Sequence, residues 1–160
     1  MPDLDSILER LIQNGVEFVI VGGFAATAHG STYVTQDLEI CCPFNAENLV
    51  RLGEALEGLH PFHRMTPARI PLDLTGAAPL KSLHLQTTLG QLDCIGEVSG
   101  VGPYEVVKEE SEVILLESGT CRVISLDALI RAKDAAGRLR DRLTVAELRA
   151  IRERRKNSGE

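Results

Sequence analysis

The chain has no tryptophan, and only two tyrosines and four phenylalanines among its 160 residues. From Cys121 onward it carries no aromatic side chain at all, although that is where basic charge collects. Residues 131–160 hold 10 Lys+Arg against 5 Asp+Glu, while residues 1–130 hold 7 against 18. A nucleic-acid module that stacks bases on rings is therefore disfavoured, and the acidic body opposes broad nonspecific binding to phosphate backbones. No apolar run approaches the roughly 18 residues of a membrane span. Residues 1–10 are polar and acidic, without the order of a secretory leader. The expectation is a cytoplasmic protein with no membrane partner. Cys41, Cys42, Cys94 and Cys121 form no C-x-x-C pair, which argues against zinc and for reduced core cysteines. His60, His63 and His84 show no ligand spacing, and His29 before Gly30 reads as a structural histidine near a helix end. No G-x-S-x-G or Cys/His nucleophile context occurs, which removes hydrolase chemistry of that type.

What is present is ordinary for a globular protein: 44% apolar and 25% charged residues, with a net charge of −6. The length suits one domain, expected over residues 1–155, with a catalytic core at about 1–100, a hairpin and helices at about 101–155, and a disordered tail at 156–160. Leu4, Ile7, Leu8, Leu11 and Ile12 keep helical rhythm behind a capping Asp3 or Asp5. Phe18 to Val21 reads as a buried strand running into Gly22-Gly23, followed by a short alanine-rich helix that Gly30 stops. Asp37 to Cys42 is a second strand, ended by Pro43. Asn45 and Ser125 are positioned to cap helices bearing Leu49, Leu52 and Leu56, and Leu126, Leu129 and Ile130. Short strands are expected around Ile70 to Leu74, with others from Leu83 to Thr88 and Gln91 to Ile95. A hairpin is expected from Val113 to Ile124, and Thr144-x-x-Glu147 has the form of a capping box for a last helix. The fold class is α+β, α/β-like: a small mixed sheet flanked by helices.

The most informative feature is Asp37-Leu38-Glu39-Ile40, with Asp37 fourteen positions after Gly23. On a strand, Asp37 and Glu39 point the same way while Leu38 and Ile40 point into a core. Two carboxylates side by side are costly unless a cation sits between them. A glycine pair at a strand-to-helix turn lets phosphate approach backbone N–H groups. Asp93, between the core-facing Leu92 and Cys94, is the candidate third acid, and Lys133 and Arg138 are candidates to meet phosphates. The other D-x-D and E-x-E spacings, at Asp3-x-Asp5 and Glu110-x-Glu112, lack this context and read as a helix start and a solvent-facing pair.

The stretches Phe18 to Gly23, His29-Gly30 and Thr35 to Ile40 together resemble the signature of the nucleotidyltransferase superfamily, whose members share a DNA polymerase beta-like catalytic fold. The segment from Ala132 to Asp141, with Lys133, Arg138, Arg140 and Asp141, resembles the helical end of small bacterial members of the kind associated with toxin–antitoxin pairs. The resemblance implies a Mg2+- or Mn2+-dependent enzyme that moves a nucleoside monophosphate from an NTP, such as ATP, to an acceptor hydroxyl on a protein, a tRNA or a small molecule. In that reading Asp37, Glu39 and Asp93 are catalytic and bind metal, and Gly22, Gly23, Lys133 and Arg138 bind the nucleotide. A protein partner of the toxin–antitoxin type and an RNA acceptor are also implied. The chain departs from the pattern at Gly23, where many members have serine, at Tyr33, where small relatives often have arginine, and at Glu39, where aspartate is common. These departures favour the alternative expectation, a weak or inactive member that binds a nucleotide or a partner protein.

Overall fold

The computed structural model describes residues 1–65, 74 and 80–159. In chain order the elements are α1 (Leu4–Gln13), β1 (Val19–Val21), α2 (Gly22–Ala28), β2 (Asp37–Cys41), α3 (Ala46–Ala55), β3 (Phe62–His63), β4 (Ser82–Thr87), β5 (Gly90–Ile95), β6 (Glu97–Val98), β7 (Gly102–Pro103), α4 (Tyr104–Glu109), β8 (Ser111–Leu116), β9 (Gly119–Ile124), α5 (Leu126–Ala136) and α6 (Leu139–Asn157). Seven strands form one sheet in the order β3-β4-β5-β2-β1-β9-β8, and β6 and β7 pair separately. The pairs β2–β5 and β1–β9 are parallel and the other four in the large sheet are antiparallel. The mixed α+β class expected from the sequence is the one observed.

The strands alternate as their sequences dictate. Leu38, Ile40, Leu83, Leu85, Leu92 and Cys94 are fully buried on one face, and polar residues occupy the positions between them. Fully burying a leucine or isoleucine side chain contributes about 1.5–3 kcal/mol, so a one-residue slip of β2 would lose its two core residues and bury two carboxylates in their place. Register is thus fixed by the same alternation that aims the acids.

Helix ends follow the expected chemistry. Asp3, Asn45 and Ser125 accept from the backbone N–H three residues on, at 3.1, 2.8 and 3.2 Å. Gly137 ends α5 in the left-handed region at φ +67°. The start of α6 differs from expectation. Arg138 is the N-cap residue, and the Asp141 carboxylate accepts from the Arg138 backbone N–H. Thr144 and Glu147 therefore lie inside the helix, and Glu147 instead holds the loop after α2, accepting from the hydroxyls of Ser31 and Thr32. A local capping pattern was outcompeted by a buried ion pair three residues upstream. The helix extends to Asn157, into the stretch read from the sequence as a tail. β6, β7 and α4 are too short to show a period and were not foreseen. The strand expected around Ile70 to Leu74 lies outside the described residues except for Leu74, which is buried. All four cysteines are buried and free, as their apolar contexts implied.

Candidate active site

β2 aims Asp37 and Glu39 to the same face, and the sheet register brings other side chains beside them. Glu39 lies opposite Val21 on β1 and Asp93 on β5, and Asp93 lies opposite His84 on β4. A row of Val21, Glu39, Asp93 and His84 thus crosses the sheet. β1 ends at Val21 and the chain turns through Gly22 at φ +66°. A Cβ at Gly22 would stand 2.8 Å from Glu39 Oε2, so the backbone conformation and the neighbouring carboxylate both favour glycine. A Cβ at Gly23 would meet Thr35 Cβ and Oγ1 at 3.0 Å. Thr35 fills the space a serine at position 23 would need, and its hydroxyl lies 3.0 Å from Asp37 Oδ1.

Across the cleft, α5 and α6 meet at Gly137. Asp141 is 1% exposed. Its carboxylate accepts from Arg138 Nε at 2.6 Å and lies 3.5 Å from Lys133 Nζ. Burial alone would push the Asp141 carboxyl up, but the hydrogen bond from Arg138 and the positive charges of Lys133 and Arg138 outweigh it and hold the carboxyl below its ordinary value. The trio keeps one net positive charge, because one carboxylate serves two cations. Lys133 and Arg138 line a polar cleft of about 80 Å3 with Gly23, Tyr33, Asp37 and Glu39. Two wider and more apolar hollows adjoin it. One of about 260 Å3 shares Glu39, Lys133 and Arg138 with the cleft, and one of about 340 Å3 shares Tyr33 and Thr35. Hollows of about 390 and 530 Å3 lie elsewhere, at Phe44–Tyr104 and beside α3, and neither includes the acid pair.

The electrostatics single out Glu39. Burial raises its carboxyl above the ordinary range, and the charges of Asp93 and Asp37 raise it further, against the opposing pull of Lys133 and Arg138. Among the described residues, no cationic side chain comes within the 4.0 Å ion-pair distance of Asp37 or Glu39. Asp93 is different. Arg64 Nη2 lies 2.8 Å and His84 Nδ1 3.3 Å from its Oδ1. Asp93 adjoins Glu39 in the sheet but lines none of the three hollows around the acid pair.

Asp37, Glu39, Gly22, Gly23, Lys133 and Arg138 therefore surround one cleft and its adjoining hollow, with Asp93 one strand away. Sequence reasoning missed Arg64 and His84, which the sheet alone brings to Asp93, and gave Asp141 no separate role. His29 is outside the cleft: its Nε2 donates to Ile124 O at 2.7 Å, and Arg155 Nη2 lies 3.3 Å from its Nδ1, a structural arrangement.

No known family model matches the chain, and no curated protein matches it in sequence. A solved structure does match in shape: TM1012 of Thermotoga maritima, provisionally named a nucleotidyltransferase. The two share 14% sequence identity with a TM-score of 0.56, over 90% of this chain and 88% of the other. That likeness shows the fold. The molecule has a nucleotidyltransferase-like architecture, and among the described residues no helix is long and apolar enough to cross a membrane.

A divalent cation fits the acid pair on chemical grounds. Asp37 and Glu39 are hard oxygen donors with no cation within ion-pair distance among the described residues. Mg2+ is commonly bound through one or two carboxylates with the remaining positions filled by water and substrate phosphates. The protein does not enclose such an ion by itself, because among the described residues no three His, Cys, Asp or Glu side chains group closely enough to hold one.

Proposed function

We propose that the protein is a Mg2+-dependent nucleotidyltransferase that moves a nucleoside monophosphate from an NTP to an acceptor hydroxyl and releases pyrophosphate. The observation that carries this reading is the Asp37–Glu39 pair, side by side and with no ion-paired cation among the described residues, facing Lys133 and Arg138 across a narrow cleft. Two carboxylates in this setting are poised for a cation, and two basic side chains opposite them suit the triphosphate that brings it. Mn2+ would satisfy the same oxygen ligands.

In the reaction, the acceptor oxygen attacks the α-phosphorus, the bond from that phosphorus to pyrophosphate breaks, and the acceptor proton passes to water. Asp37 and Glu39 would hold the metal, which when bound would neutralise phosphate charge and help align the phosphates. Lys133 and Arg138 offset charge on the departing pyrophosphate, and Asp141 fixes both of them. The Gly22-Gly23 turn keeps bulk away from the Glu39 side of the cleft. The two wider hollows have room for the nucleoside and for the acceptor group. The acceptor class is the one the resemblance implies: a protein side chain, a tRNA end or a small molecule, with a toxin–antitoxin type protein partner as the associated proposal. The test is pyrophosphate release and label transfer from each α-labelled NTP with Mg2+, offered protein, tRNA and small-molecule acceptors. The expected result is transfer with one NTP preferred, abolished by chelation and by Asp37→Asn.

A second reading has its own support. Asp93 is engaged by Arg64 and His84, which would weaken it as a metal ligand or base, and Gly23, Tyr33 and Glu39 depart from the pattern the sequence resembles. A nucleotide- or partner-binding protein on this fold would bind NTP without turning it over. Binding with no pyrophosphate release from any NTP and any acceptor class would favour that version.

A further inference from the structure

The inference concerns Arg64 and rests on the metal-dependent reading above. Asp93 is the acid that the chain offers as a third ligand, and Arg64 already occupies its approach. Arg64 is held at three points. Its backbone N–H donates to His84 O at 2.8 Å, its Nη1 donates to Leu85 O at 2.8 Å, and its Nη2 lies 2.8 Å from Asp93 Oδ1. His84 Nδ1 reaches the same oxygen at 3.3 Å, with its ring edge-on to His63 at a centroid separation of 5.9 Å. Asp93 Oδ1 is buried, and neither contact on it has hydrogen-bond alignment. The hold is therefore Coulombic, which requires proximity and no particular angle. A guanidinium stays positive at any accessible pH. A divalent ion approaching Asp93 Oδ1 would meet that fixed positive charge.

The arrangement also answers a local problem. Glu39 and Asp93 are directly opposite on adjacent strands, where like charges are destabilising. A cation on Asp93 relieves the pair without touching Glu39. We propose that Arg64 takes the place of a second metal ion: it neutralises Asp93 and leaves Asp37 and Glu39 to hold a single divalent cation. Arg64 is then a positioning residue that sets the number of ions the site accepts, and Asp93 is its counter-ion and not a metal ligand.

The test is to count Mn2+ bound by the full chain, using electron paramagnetic resonance at millimolar Mn2+, for the wild type, Asp37→Asn/Glu39→Gln, Asp93→Asn, Arg64→Met and Arg64→Met/Asp93→Asn. Each protein is first checked for cooperative unfolding. The expected pattern is one ion in the wild type, none in the β2 double variant, and an unchanged single ion in Asp93→Asn. Arg64→Met gains a second, weaker ion that disappears when Asp93→Asn is added. Two ions in the wild type, one lost in Asp93→Asn, would overturn the inference and leave the transferase reading standing. A folded Arg64→Met that still binds one ion would also overturn it. If Arg64→Met does not fold, Asp93→Asn decides: loss of the single ion makes Asp93 a ligand and refutes the proposal. No ion bound by the wild type would remove the metal reading itself, and this inference with it.

Discussion

The carboxylates in and beside the cleft fall into two groups that differ in company. Asp141, in the first turn of α6, is buried with Arg138 and Lys133 on it. Asp93, on β5, has Arg64 and His84. Asp37 and Glu39, on β2, have no cation within ion-pair distance among the described residues, and Glu39 is pushed toward the protonated form by burial and by its acidic neighbours. Burying a charge is tolerated when the fold supplies its partner. Among the described residues it is supplied for Asp141 and Asp93 and not for the β2 pair, so the β2 pair is where an external cation has most to gain.

Breaking that contrast should show first in activity. Asp37→Asn or Glu39→Gln is expected to reduce transfer by about 10³-fold, the scale on which removal of one preorganised electrostatic contact reduces turnover, while circular dichroism stays native. A variant with full turnover would remove the residue from the mechanism. Next in size is a loss of stability. Asp141→Ala strands the largely buried Lys133 and removes the anchor of the half-exposed Arg138, and should cost about 2–3 kcal/mol in urea unfolding. A cost near zero would mean that the trio is solvated.

A smaller effect is the cost of a side chain at the turn. Gly22→Ala must hold alanine at φ +66° against Glu39 Oε2, so a loss of about 1–2 kcal/mol is expected, together with weaker NTP binding. The smallest and most diagnostic effect has the opposite sign. The Glu39 carboxyl is raised in the folded state above its ordinary value of 4.5. Its contribution to stability is present at low pH, where it is protonated in both folded and unfolded chains, and is lost as pH rises through the folded value. Glu39→Gln should therefore raise the Tm of the metal-free protein by a few degrees at neutral pH and by little or nothing at pH values below that ordinary value. Thermal scans across pH in chelator check it. An equal gain at both ends would place the effect in packing and not in charge.

The acid pair was legible because alternation is local. Leu38 and Ile40 must face a core, so Asp37 and Glu39 must face away from it. The glycine turn was legible for a similar reason, since Val21 ends a β-branched run and Gly22 follows. Arg64 and His84 were not legible. They lie 29 and 9 residues before Asp93, and only the order β3-β4-β5 places them beside it. The fold class followed from the sequence of elements, whereas β6, β7 and α4 are too short for any period to register. The start of α6 was misread because Thr144 and Glu147 match a local cap, while the helix actually begins where Asp141 meets Arg138 and Lys133. Pairings across distant strands and helices, unlike caps and alternation, leave no mark at fixed spacing.

The most direct measurement is calorimetric titration of the protein with each NTP, with and without Mg2+, beside the Asp37→Asn/Glu39→Gln double variant. The account predicts binding that needs Mg2+, prefers one nucleotide and vanishes in the double variant while the variant stays folded. Equal binding by the wild type and the double variant, or binding indifferent to Mg2+, would contradict the claim that the carboxylates of β2 are the place where a metal-bound triphosphate docks.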